Sequence, residues 1–378
     1  MQPCTMRIVF LLSRIEQSGV TTHTIDLARG LIDMGHQVCL ITGGKILDGT
    51  NRVDDFYREF EDMGVTIKEF DTPRGSILKK TYLSITSILK VIKDIKAYTP
   101  DVVHSQSPYM TFIPWLMGIK YTTTLHILYL KKNFKFKNPT HLIAISQESY
   151  EFSKKTFGIL DKNISLIHHG VSSRYAETID DTEKIALKNK LGIPGEKLVI
   201  GFAGSISLRK GSDILTAALS EIKKEVRDKI KFVFLGGVQG SEEYLWLKKL
   251  VKEAQIEDIF IYVPFEDPKP FYDIFDIFVL PSRMESFPLV TLEAMMSQCC
   301  PIRSNTEGAY EQIDHGVNGM LFENENVQEL TETLNELIQN SDLRKRLGTA
   351  AKQKALEEFT IPVMTNKTLQ VYEKIRLN

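Results

Sequence analysis

Ile277-Phe-Val-Leu-Pro-Ser-Arg-Met-Glu-Ser-Phe-Pro-Leu-Val-Thr-Leu-Glu-Ala-Met-Met296 decides how the rest of the chain is read. It opens on four apolar residues, Ile277–Leu280, with the length and composition of a strand buried in a parallel sheet. Pro281 and Ser282 end that strand. Pro288 suits the first turn of a helix, and Leu289, Leu292, Met295 and Met296 then recur at helical spacing. Glu285 stands just before this helix and Glu293 inside it. Free amides at a helix start attract anions such as phosphate, and carboxylates accept hydrogen bonds from sugar hydroxyls. The stretch reads either as a pocket for a sugar phosphate or nucleotide sugar, or as a plain strand–turn–helix whose acids answer the helix dipole.

Outward from it, strands and helices alternate in both directions. Upstream in the same half, 198–203 is a strand, followed by a loop, Gly204-Ser-Ile-Ser-Leu-Arg-Lys-Gly211, and a helix capped by Ser212 or Asp213. Further strands fall at 231–235, 259–263, 299–303 and 320–322, with helices at 327–339 and 341–358. The amino-terminal half repeats the pattern. Strands fall at 7–12, 37–42, 65–70, 101–104, 120–125, 141–146 and 164–167. Helices include one capped by Thr22 and another over 84–98. The segment 172–197 is polar and broken by Gly192 and Pro194, which predicts a join between domains. Alternation throughout predicts an α/β chain of two Rossmann-like halves with parallel sheets covered on both faces. Two such halves can place their ligand-binding strand ends across a cleft, where two substrates meet away from water.

Composition agrees. At 378 residues the chain fits about two domains. No apolar run approaches the ~20 residues of a membrane span, and the first residues lack the pattern of a signal peptide, so the expected location is the cytoplasm. Cys4, Cys39, Cys299 and Cys300 have no metal-ligand spacing and suggest small buried residues. The net charge is −1, which offers no broad basic surface for nucleic acid. One segment stands out: residues 102–147 contain no Asp or Glu but include Lys120, Lys131, Lys132, Lys135 and Lys137.

Several groups could carry chemistry. Arg209 and Lys210, ahead of a helix start, can hold a diphosphate and neutralise it as it leaves; the alternative is a solvated turn. Glu285 and Glu293 bracket the opening turn. Gly308 allows close backbone approach in 305–313, beside Glu311. Val263 and Phe265 follow a strand where a nucleobase could stack, although packing alone would explain Phe265. Gly19 lies in the first loop. His104 and His126 sit at strand ends, where an imidazole can orient or protonate a hydroxyl; His104 reads as a structural hydrogen-bonder. His168 and His169, taken as neighbours on a strand, would point to opposite faces, and no Asp, Glu or Cys completes a metal site. Asp273 and Asp276 read as helix-end residues.

Taken together these residues resemble retaining GT-B glycosyltransferases of the family-4 type. The resemblance rests on Glu285-x7-Glu293 within the opening stretch. Asp101-Val-Val-His104, Thr123-Thr-Leu-His126, Ile143-Ala-Ile-Ser146, His169-Gly-Val171, Arg209-Lys-Gly211 and Gly308-x-x-Glu311 follow in the family's order. It covers nearly the whole chain. It implies a GT-B fold with an acceptor domain at 1–185 and a donor domain at 186–358. Residues 359–378 would return to the first domain. Arg209 and Lys210 would bind the donor diphosphate, with Ser205 in the same loop. Glu285 would meet the donor sugar hydroxyls and Glu293 the ribose. Ser286, Phe287, Pro288, Leu289 and Val290 would offer backbone groups to sugar or phosphate, and Val263 and Phe265 would meet the base. Gly19 would lie by the diphosphate and His126 by the reacting centre.

The resemblance also implies a nucleotide diphosphate sugar as substrate, with UDP-sugars favoured, and no cofactor or divalent metal. The acceptor would be a glycan or lipid-linked glycan of cell-envelope assembly, such as lipopolysaccharide or capsule. Departures fall at Gly204-Ser205, where the family often has Gly-Arg, at Ser18-Gly19 for Gly-Gly, and at His168-His169-Gly170-Val171 for Pro-Asn-Gly-Val. Alternatives are a GT-B epimerase or a non-catalytic subunit that stabilises a partner transferase. The lysines at 128–137, interleaved with Phe134 and Phe136, suggest peripheral binding to an anionic membrane by Lys131, Lys132, Lys135 and Lys137 with insertion of the rings.

Overall fold

The computed structural model describes residues 5–46, 52–73, 75–127, 130 and 136–377. The chain divides into two compact units. The first is Met1–Gly170 with Ile361–Asn378, and the second is Val171–Thr360.

The first unit is built on a seven-stranded parallel sheet: β1 (Arg7–Leu12), β2 (Gln37–Thr42), β3 (Thr66–Glu69), β4 (Val102–Ser105), β5 (Tyr121–Leu125), β6 (His141–Ala144) and β7 (Ile164–Leu166). The order across the sheet is β3-β2-β1-β4-β5-β6-β7. β1 shows why both faces must be covered. Ile8, Phe10 and Leu12 point to one side and pack with Ile25, Leu27 and Leu31 of the helix Gly19–Asp33. Val9 and Leu11 point to the other and pack with Val91 and Ile95 of the helix Ile77–Tyr98. Alternate side chains of a strand face opposite ways, so an unbroken apolar run has two cores to fill.

The helix Ile361–Leu377 completes the first core with Met364, Val371 and Tyr372. It lies close against the helix Gly19–Asp33: a Cβ on Gly30 would stand 2.1 Å from Thr365 Oγ1. The Tyr372 hydroxyl is 2.7 Å from His104 Nδ1.

The second unit holds β8 (Leu198–Ala203), β9 (Ile230–Leu235), β10 (Phe260–Val263), β11 (Ile277–Leu280), β12 (Cys300–Ser304) and β13 (Met320–Phe322). The sheet order is β10-β9-β8-β11-β12-β13, all parallel. Ile277–Leu280 is wholly buried between β8 and β12.

Four local expectations are corrected. The boundary falls at Gly170, not at 185. Val171 donates its N–H to the Phe359 carbonyl at 2.9 Å, and Arg174 pairs with Asp267 at 2.9 Å, which ties this segment to the second unit. The first helix is capped by Ser18, whose hydroxyl accepts from Thr21 N, rather than by Thr22. Gly211 in a left-handed conformation, not Ser212 or Asp213, holds the cap position of Ser212–Glu221. The third helix begins at Ile77 rather than 84, and its first turns are exposed, so no apolar periodicity announced them. Cys39, Cys299 and Cys300 are buried and unpaired; Cys4 lies outside the described residues.

Candidate functional site

In the second unit the opening stretch is threaded between two glycine-bearing loops. Gly211 has φ +72, and a Cβ there would meet Pro281 O at 1.9 Å. Gly308 has φ +69, and a Cβ there would meet Ser286 O at 2.2 Å. Both positions demand glycine for conformation and for space. Arg283 N donates to Arg209 O at 2.8 Å, tying the stretch to the first of these loops by backbone as well.

This threading brings the cations to the carboxylate. Lys210 Nζ stands 2.5 Å from Glu285 Oε1 and Arg209 Nη1 3.5 Å from the same oxygen. Burial alone would push the Glu285 carboxyl up, but the charge and hydrogen bond of Lys210, aided by Arg209, hold it below the usual carboxylate value. Glu285 is therefore an anion at neutral pH. The side chains of Lys210 and Glu285 are 12% and 10% exposed, whereas that of Arg209 is 51% exposed. Arg209 remains open to an anion from solvent.

The helix Leu289–Met296 follows at once. Pro288 occupies its cap position rather than its first turn and supplies no side-chain cap, so the first amides keep their partial positive charge. Gln312 Nε2 donates to Pro288 O at 3.1 Å and fixes the turn from behind. Phe287 and Leu289 are buried, with Phe287 edge-on to Phe359 at 5.7 Å; they can offer backbone, not side chain. Glu293 lies inside the helix, and its Oε2 accepts from the Tyr272 hydroxyl at 3.0 Å. Burial raises its carboxyl above the ordinary value, opposed by that hydrogen bond.

Other candidates stand as follows. Ser205 is exposed. Val263 is buried at the end of β10, and Phe265, half-buried, donates its N–H to Gly237 O at 3.1 Å. Glu311 lies in the short helix Ala309–Gln312. Asp273 and Asp276 are structural: Asp273 accepts from Lys269, and Asp276 Oδ2 from Val199 N at 2.8 Å.

The sequence reading missed two arginines. Arg283 forks onto Asp213 at 2.8 and 2.7 Å and reaches Glu325 at 2.6 Å. Arg303, fully buried, donates to Thr306 Oγ1 at 3.1 Å and Glu307 O at 3.0 Å, and also to Gln312. They hold the loops that flank Glu285. Arg303 follows the apolar residues 299–302 into a buried strand, and an arginine there is the available clue.

In the first unit Gly19 opens a helix at the end of β1. His126, just past β5, is buried, with Nε2 2.9 Å from Gln106 Oε1. Since that oxygen only accepts, Nε2 carries the proton and Nδ1 is left as an acceptor. Two further imidazoles join it. His23 lies 4.8 Å from His126 and 4.4 Å from His169 between ring centroids, and His126 lies 5.4 Å from His169. Burial first, then mutual repulsion, lowers His23 and His126 well below the ordinary histidine value. His23 and His126 are therefore neutral at pH 7.

Strand alternation does not govern His169, because β7 ends at Leu166. His23 lies inside the helix Gly19–Asp33, where helical periodicity does not single it out. Among the described residues, no group of three or more His, Cys, Asp or Glu could hold a metal ion. His104 is a structural hydrogen-bonder, held by Tyr372 and by Thr124 Oγ1 at 2.8 Å.

The basic segment needs a correction. Phe136 is buried and stacks on Phe157 at 4.1 Å, so its ring cannot enter a bilayer. Lys137 lies 4.3 Å from the Trp115 ring. Lys131, Lys132, Phe134 and Lys135 lie outside the described residues. No helix among the described residues is long and apolar enough to cross a membrane.

Comparison with known proteins meets this geometry. Residues 183–354 match the family described as Glycosyl transferases group 1, and residues 17–174 match Glycosyltransferase Family 4. Spore coat protein SA of Bacillus subtilis is 33% identical over 198 residues, which cover 50% of this chain and 52% of that protein. The matched part thus spans only about half the length of that curated relative. Among solved structures, a glycosyltransferase from Rickettsia africae superposes with a TM-score of 0.83 at 20% identity, covering 99% of this chain and 100% of its own. The Anabaena protein HepE, in complex with UDP and glucose, does so with 0.80 at 20% identity, covering 97% and 99%. At such identities the likeness concerns the fold, which is GT-B.

Proposed function

Starting from a chain that belongs to the family-4 type of group 1 glycosyltransferases, we propose that it transfers a hexose from a nucleotide diphosphate sugar to a hydroxyl of a glycan or lipid-linked glycan. The carrying observation is the Lys210–Glu285–Arg209 constellation beside the uncapped start of Leu289–Met296. Two cations and a row of helix amides suit a diphosphate, whose charge grows as it leaves. Glu285, kept ionised by Lys210, accepts hydrogen bonds from sugar hydroxyls. Glu293, steadied by the buried Tyr272 hydroxyl, meets the ribose, and the base lies by Val263 and Phe265. UDP is the favoured nucleotide, supported by the fold shared with HepE, which binds UDP and glucose.

Transfer retains configuration in this reading. The bond from the anomeric carbon to the diphosphate oxygen breaks, the acceptor oxygen forms its bond on the same face, and the acceptor proton goes to the departing diphosphate. Charge is answered by Arg209 and Lys210, so no divalent metal is required. His126 Nδ1, a bare acceptor, orients the acceptor hydroxyl. Where the acceptor is lipid-linked, the enzyme works peripherally on the cytoplasmic side of its membrane.

The test is turnover of UDP-, GDP- and ADP-sugars with and without acceptor. Nucleotide-sugar hydrolysis abolished by Lys210→Ala is expected. Nucleotide binding without any turnover by the wild-type chain would make it a non-catalytic subunit.

A further inference from the structure

The helix Ile77–Tyr98 packs its Val91 and Ile95 against the sheet. At about 100° per residue, Leu78, Tyr82, Ile85 and Leu89 fall in one row well away from that side. They are 85%, 67%, 55% and 61% exposed. The described residues of 75–82 are all exposed, so the first turns project from the unit. Lys79, Lys90 and Lys93 flank the row and Lys96 continues it. No Asp or Glu occurs in 72–93. Asp94, the first acid to follow, pairs with Lys68 at 3.6 Å. The helix Phe112–Leu116, packed on the same helix, leaves Trp115 and Leu116 half exposed.

A row of large apolar side chains held in water and edged by cations calls for a partner that is apolar inside and anionic at its surface. We infer that this face docks on an anionic lipid bilayer, the row entering the headgroup region and the lysines meeting lipid phosphates and carboxylates. A second copy of the chain fits less well. Two-fold pairing of the helix with itself would set lysines against lysines with no acid between them. The inference rests on the membrane-side part of the function proposed above and assigns the contact to a different element from the 131–137 segment.

The experiment is co-sedimentation of the full chain with phosphatidylcholine vesicles, with and without about 30% phosphatidylserine. Binding to the anionic vesicles alone is expected. Leu78→Ser with Ile85→Ser and Leu89→Ser should lower it by on the order of tenfold or more, as should Lys79→Glu with Lys90→Glu and Lys93→Glu. Because these positions are exposed, melting temperature and UDP binding should not change. Equal binding by wild type and both variants overturns the inference. So does loss confined to a Lys131→Glu, Lys132→Glu, Lys135→Glu and Lys137→Glu variant, or an apolar variant that only converts a dimer to a monomer in light scattering. UDP binding by the same preparations tests the donor reading separately: its absence from the wild-type chain would count against that reading, whatever the vesicles show.

Discussion

Beyond the ends of β4, β5 and β7 the first unit gathers Gln106 and His169 around His126, with His23 beside the two imidazoles. Beyond the ends of β8 and β11 the second gathers Arg209, Lys210 and Glu285. Both are parallel sheets whose strand ends open the same kind of hollow, yet one is furnished with neutral rings and the other with full charges. Seven of the eight histidines lie in the first unit, only His315 in the second. Buried imidazoles lose their protons, so they can accept or donate to hydroxyls without attracting anions. The buried Glu285 keeps its charge by pairing with Lys210, and the cations can answer a diphosphate. Burial of similar depth therefore has opposite electrostatic outcomes, decided by whether a counter-charge lies within reach.

Acid should separate the two units most strongly. His23, His104, His126 and His141 have folded values below their unfolded ones, with His104 down to about 3 and His141 to about 4. Their contribution is complete above the unfolded value near 6.5 and is lost as pH falls toward the folded values. The unfolded chain binds protons there that the folded chain refuses, at about 1.4 kcal/mol per pH unit for each histidine. Glu285 and Asp213, with lowered values, lose stability only as pH falls below the ordinary carboxylate range. Hydrogen exchange at pH 7 and 5.5 should show the first unit loosening while the second stays protected. Simultaneous loss would break the comparison.

Lys210→Ala comes next. Glu285 is left buried beside a single, more distant cation, at a cost of about 3–5 kcal/mol in the second unit, measured by denaturant unfolding, together with loss of donor turnover. Lys210→Met with Glu285→Gln should regain most of the stability while staying inactive. That separation of fold from chemistry is what a charge-furnished site requires.

Gly30→Ala probes the first unit's packing. The new methyl would overlap Thr365 Oγ1, and overpacking of this kind costs about 1–3 kcal/mol. Thr365→Ala in the same chain should return part of it in a thermal melt. Recovery would localise the strain to the contact between the two helices.

The smallest effect is expected from Arg209→Ala. Its side chain is half exposed and 3.5 Å from Glu285, so stability should hardly move. UDP affinity by calorimetry should fall about tenfold, in line with one charged hydrogen bond. An unchanged affinity would remove Arg209 from the diphosphate site.

Much of the fold was legible because it is written in local periodicity. Ile8 to Leu12 and Ile277–Leu280 are unbroken apolar runs between helical patterns, and such runs have few alternatives to a buried parallel strand. The helix Ile77–Tyr98 was read seven residues short because its first turns bury nothing, and burial is what makes a pattern. The segment after Gly170 was misassigned because polarity marked a join but not which side it belonged to. Arg174 with Asp267, and Val171 with Phe359, settled that across about ninety and nearly two hundred positions.

The site divides in the same way. By itself the sequence determined that a strand ends at Leu280, that carboxylates follow, and that Arg209 and Lys210 precede a helix in the same half. These are short-range facts of composition and spacing. Only the tertiary structure decided that Lys210 meets Glu285, that Arg283 and Arg303 hold the flanking loops, and that His23 and His169 close on His126. Those meetings are set by strand order and by glycines with space for no side chain, which no local pattern encodes. The protonation of His23, His126 and Glu285 follows from them, since a charge survives burial only where the fold supplies its partner.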